Sequence, residues 1–72
     1  MEYKKVEWSK MHRKNYDNSC EYCGGKCTDE ESINSWIAAN DNLELAERLG
    51  DTKKAAYYKM KMDERLTYRF SK

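Results

Sequence analysis

The chain has 72 residues, of which 39% are apolar and 38% charged, with a net charge of +1. That length supports one small domain, residues 1–72, at a size where a hydrophobic core alone is marginal and a metal or disulfide is often added. The near-neutral balance gives no global pull toward nucleic acid or an anionic membrane. No apolar run approaches the ~20 residues of a membrane span, and the first residues lack a signal-peptide core, so a cytoplasmic protein is expected.

The charges alternate along the chain. Residues 1–27 carry six basic and four acidic side chains, residues 28–51 one basic and seven acidic, and residues 52–72 seven basic and two acidic. Proline is absent, and glycine falls only at Gly24-Gly25 and Gly50, which mark the turns.

At the N-terminus, Trp8, Met11, His12 and Asn15 share a helical face, with Tyr3 and Val6 preceding them. This spacing predicts a short helix over 5–14.

The stretch His12-x7-Cys20-x2-Cys23-x3-Cys27 holds the only histidine and all three cysteines. Three cysteines cannot all pair within one chain, and no secretory segment is read, so a disulfide scaffold is disfavoured. Cys3His is a common donor set for structural Zn2+, which takes four tetrahedral ligands. Cys20-x2-Cys23 suits a knuckle turn, with Gly24-Gly25 where the chain needs a positive φ or a close backbone approach. Cys27 would place its thiolate at the start of a helix, where the helix dipole favours it. Three other readings fit less well: a metal-free thiol cluster, an iron–sulfur cluster, and a thioredoxin-type redox pair, which needs a strand-to-helix context missing here. His12 is the least secure ligand. Asp17, Glu21 or a group from a partner chain are the alternatives.

"CEYCGG" resembles the knuckle of treble-clef nucleases, but their His-Asn-His catalytic set cannot be built from one histidine. With His12 on the metal, no free imidazole is left as a base, three thiolates weaken Lewis acidity, and the deaminase His-x-Glu is missing. A structural zinc and a non-enzymatic protein are expected.

Thr28 with Glu31 three residues on reads as a capping box opening the next helix. Trp36, Ala39, Leu43, Ala46 and Leu49 recur at 3- and 4-residue spacing, with Ile33 and Ile37 alongside. Asn40-Asp41-Asn42 are poor helix formers and suggest a kink or break, and Gly50 suits the C′ stop. A last helix runs from Asp51 or Thr52 toward Phe70, with Ala55, Met62, Leu66 and Phe70 on one face and Tyr58 at its margin. "LGDTKKAAYY" resembles the turn of a tetratricopeptide-type helical hairpin, a likeness of ten residues that implies a hairpin and nothing more.

The expected fold is therefore mostly α: a small zinc-stabilised domain of an N-terminal helix, a Cys3His knuckle at His12, Cys20, Cys23 and Cys27, and an antiparallel helical hairpin. Two surfaces compete for function. Aromatic residues and methionines are generous for so small a core, and Trp36, Ile37, Tyr58 and Met60 are the candidates for contact with a larger protein partner. This reading, a small regulator or adaptor acting through its hairpin, is preferred. Lys54, Lys61, Arg65, Arg69 and Lys72, interleaved with Tyr57, Tyr58 and Tyr68, form the alternative, a nucleic-acid-binding helix. Monomer and homodimer are both open. The size and composition fit a small accessory protein of a virus or plasmid.

Overall fold

The computed structural model describes residues 2–66. Two helices, α1 (Glu30–Leu49) and α2 (Thr52–Asp63), form a hairpin, and the N-terminal third of the chain lies against it. No regular strand forms among the described residues; three isolated bridges, Lys14–Cys20, Cys20–Gly25 and Lys14–Leu66, stand in for one.

The boundaries of α1 follow from its capping chemistry. Asp29 is the N-cap, its carboxylate accepting from the Glu31 N–H at 3.0 Å, with Glu30 and Glu31 in the first turn. The cap thus falls one residue after Thr28. Glu31 pairs instead with Lys10 at 3.0 Å. At the other end Gly50 takes φ 76°, and its N–H reaches back to the carbonyls of Ala46 and Glu47. Asp51 then caps α2 by accepting from the Lys54 N–H. A connection this short folds α2 back along α1: Trp36 and Ala39 meet Met62 and Leu66, while Ala46 lies near Ala55.

Three further expectations are corrected. The last helix, expected to run toward Phe70, ends at Asp63 within the described residues. The helix over 5–14 is absent, and only a 3-10 turn forms, at Trp8–Lys10. The backbone there is spent on tertiary bonds: the His12 N–H donates to Ser32 Oγ at 3.0 Å, and the His12 carbonyl accepts from Trp36 Nε1 at 2.9 Å. Likewise α1 runs unbroken through Asn40-Asp41-Asn42. Asn42, 1% exposed, both accepts from the Lys4 N–H and donates to the Lys4 carbonyl, each at 2.7 Å. Asp41 binds Lys4 Nζ at 2.6 Å. The poor helix formers thus tie down a neighbouring segment, which outweighs their weak propensity.

This explains which face of α1 is buried. Ser32, Ser35, Ala39, Asn42 and Ala46 are all buried, a stripe of small side chains that lets the N-terminal segment cross close to the helix. Met11, 1% exposed, plugs the crossing against Trp36 and Ala39. At the far end Leu66 packs on this core, and the Arg65 carbonyl accepts from the Lys14 N–H at 3.0 Å.

Candidate metal centre

His12, Cys20, Cys23 and Cys27 come together, with their donor atoms all within 4.8 Å of one another. The cysteines are free thiols. His12 Nδ1 lies 3.4 Å from each of the three sulfurs, and Cys23 Sγ lies 3.4 Å from Cys27 Sγ. In a tetrahedral site with Zn2+ bond lengths, the edges are roughly 3.5 Å between sulfur and nitrogen and roughly 3.8 Å between sulfurs. The donors already stand close to those separations, so the cluster fits a metal ion.

Local backbone structure sets two of these positions, Cys20 and Cys23. The Cys20 N–H donates to the Gly25 carbonyl and the Gly24 N–H to the Cys20 carbonyl, closing a tight turn around the two cysteines. Gly24 takes φ 74°, which a residue with a Cβ adopts only with strain. The turn directs the Cys23 N–H at Cys20 Sγ, 3.4 Å away. The loop from Asn15 to Ser19 is closed by backbone bonds and by Asp17, which accepts from both the N–H and hydroxyl of Ser19.

The surroundings of these donors reveal two residues that spacing alone missed. Asp29 Oδ2 sits 3.1 Å from His12 Nε2, opposite the nitrogen that faces the sulfurs. A histidine that donates one ring N–H to a carboxylate presents the other nitrogen's lone pair to a cation, the common supporting arrangement for a metal-bound imidazole. The other carboxylate oxygen of Asp29 caps α1, so one side chain links the cluster to the helix. Ser32 accepts from the His12 N–H and is among the groups that hold the Cys27 thiol down. The available signal was position: both follow Cys27 closely, Asp29 at the cap of α1 and Ser32 in its first turn.

The thiols differ in acidity. Hydrogen bonding to Cys27 and Cys20 pushes the Cys23 thiol up to about 12. Burial raises the Cys27 thiol, but the Asp29 N–H, Cys23, Ser32 and Cys20 outweigh it and bring Cys27 down to about 7. Sulfurs packed this closely resist ionising together unless a cation neutralises them.

The surface residues are redistributed. Trp36 and Tyr58, expected at a partner surface, are 9% and 7% exposed and belong to the core. Ile37 and Met60, at 52% and 54%, are available. Ile37 lines a groove of about 600 Å³ between α1 and α2, with Leu43, Met62 and Leu66. Met60 borders a shallower surface with Ala56 and Glu64. Of the basic set, Lys54 is exposed and Lys61 and Arg65 are partly buried, whereas Arg69 and Lys72 lie outside the described residues, as do Tyr68 and Phe70. No described helix is long and apolar enough to cross a membrane. Family models, curated proteins and solved structures give no match to this chain.

Proposed function

We propose that the cluster holds one structural Zn2+ through His12 Nδ1 and the thiolates of Cys20, Cys23 and Cys27, the Cys20–Cys23 turn acting as a zinc knuckle. The carrying observation is the single imidazole nitrogen 3.4 Å from all three sulfurs, backed by Asp29 at 3.1 Å. Four protein donors fill a tetrahedral shell and leave no position for a substrate or activated water. Bound there, the ion cross-links the N-terminal segment, the cysteine turn and the start of α1, so its binding energy is folding energy. A reducing cell interior suits the three thiols, which must stay free of disulfides to serve as ligands.

On that scaffold the protein is a non-enzymatic adaptor that docks on a larger protein through the groove at Ile37. Ile37 is exposed at 52% beside Trp36 and Leu43, and Ile33, one turn earlier on α1, is exposed at 38%. Aliphatic side chains held out of the core by a rigid helix suit the apolar centre of an interface. The test is a photo-crosslinking residue at position 37, with position 48, the exposed Arg48, as control. The expected result is a protein adduct at position 37 that survives moderate salt and disappears with a zinc chelator. An adduct of twice the chain's mass would mark a homodimer instead. Equal labelling at both positions, or none at 37, would contradict the docking surface.

A further inference from the structure

A second surface lies over the first two turns of α2, on the side that meets Tyr3 and Trp8. Four aromatic rings cluster there. Tyr58 contacts Tyr3 and Trp8, with ring centroids 5.7 and 6.0 Å apart, and Tyr57 meets Trp8 edge-on at 6.0 Å and Tyr58 at 5.3 Å. Tyr58 is the buried floor, Trp8 is half-buried, and Tyr57 is 40% exposed. Edge-on packing leaves the face of one ring uncovered, a geometry that joins rings without stacking them. Between the rings and the first turn of α2 is a cleft of about 530 Å³, bordered by Lys53 and Lys54.

The charges around this cleft are one-sided. Lys53, Lys54 and Lys61 form no ion pair among the described residues. Lys54 and Lys61 rest against the rings of Tyr3 and Tyr57, at 5.5 and 6.0 Å from their centroids. Lys4 is committed to Asp41. The one carboxylate in the cleft, Asp51, is engaged by the Tyr3 hydroxyl and the Lys54 N–H. Lys53 and Lys54 border the cleft and Lys61 lies over the ring of Tyr57, the exposed member of the cluster, so ammonium groups without carboxylate partners stand beside an accessible aromatic ring. These are the two features that hold a single strand: cations for phosphates and platforms for bases.

We propose that this cleft binds single-stranded nucleic acid, a base stacking on Tyr57 and Trp8 while Lys53, Lys54 and Lys61 contact the flanking phosphates. The site lies over the first two turns of α2 and recruits Trp8, Tyr57 and Lys53, with Lys61 reaching it across the Tyr57 ring. It therefore differs from a helix-long stripe ending at Lys72. Unpaired strands are required because a duplex hides the base faces that the rings would contact. The cleft shares no residue with the metal cluster or with the Ile37 groove, so this inference stands apart from the adaptor reading.

The experiment is fluorescence anisotropy of a labelled 15-nucleotide oligothymidylate titrated with full-length, zinc-loaded protein, at several salt concentrations. Trp8 emission is followed in a Trp36→Phe background. Three phosphate contacts on a single strand predict a slope of log affinity against log salt of about −2. Binding should quench Trp8. Tyr57→Ala should weaken it about 10-fold or more, the range for losing one stacked base. Lys53→Gln with Lys54→Gln should flatten the salt slope. All three positions are exposed, and circular dichroism checks that each variant folds. A 15-base-pair duplex should bind more weakly than the single strand. No binding at low salt, affinity indifferent to both Tyr57→Ala and the lysine pair, or duplex binding as tight as the single strand would overturn the proposal.

Discussion

Replacing Asp29 separates the two roles of one side chain. Its Oδ1 accepts the Glu31 N–H at 3.0 Å and caps α1, while Oδ2 lies 3.1 Å from His12 Nε2. Asn caps a helix about as well as Asp, but its single oxygen serves only one of these partners, and its NH2 would meet the Nε2–H donor to donor. Asp29→Asn should therefore keep the cap and release the imidazole. Loss of such a support lowers metal affinity typically 10–100-fold, about 1.4–2.8 kcal/mol. Asp29→Ala loses both. Beyond the same drop in affinity it should forfeit about 1 kcal/mol of capping, worth about 4–8 °C in melting temperature for a domain of this size. Zinc affinity is read by competition with a chromophoric chelator, and stability by thermal circular dichroism at saturating zinc. Wild-type affinity in Asp29→Asn would show that the carboxylate does not orient His12. Equal melting temperatures for the Asn and Ala variants would show that the cap contributes nothing.

Asn42→Ala should leave the N–H and carbonyl of Lys4 without their buried partner, at about 1–3 kcal/mol; urea unfolding and faster amide exchange at Lys4 would register it, and unchanged exchange would count against the clamp. Gly24→Ala and Gly25→Ala form an internal control. A Cβ at either position meets nothing within 4 Å, but only Gly24 has a positive φ, so Gly24→Ala should cost about 1 kcal/mol and Gly25→Ala much less in melting experiments. The Ser19 hydroxyl and N–H hold the Asp17 carboxyl below its ordinary value of 3.8. Because the folded value is the lower one, this loop's contribution is present above that pH and is lost as the pH falls through the folded value. A carboxyl NMR titration should find the Asp17 midpoint below 3.8, and Ser19→Ala should move it upward.

The hairpin and the ligand cluster were legible because their signals are local. Gly50 announces the stop of α1, Asp51 supplies the next cap, and the cysteines lie within a few residues of one another. The N-terminal third misled because helical periodicity at Trp8, Met11 and His12 says nothing of where the backbone bonds go. Those bonds are made to Ser32, Trp36 and Asn42, 20–38 residues away in sequence. The same non-local bonds hid the meaning of the Asn40-Asp41-Asn42 run. They also hid the burial of Trp36 and Tyr58: each looks like a spare aromatic until the N-terminal segment folds over it. Asp29 was readable as a helix-start residue, but its reach to His12 depends on a fold that brings residue 12 beside residue 29.

The most direct test of the structural-zinc reading is native mass spectrometry of the purified protein, with metal analysis of the same sample and alkylation to count free thiols. The expected result is one zinc per chain, thiols protected until a chelator is added, and loss of the metal in His12→Ala. A chain that carries no metal, alkylates at all three cysteines and keeps its helical signal and melting temperature in chelator would contradict it.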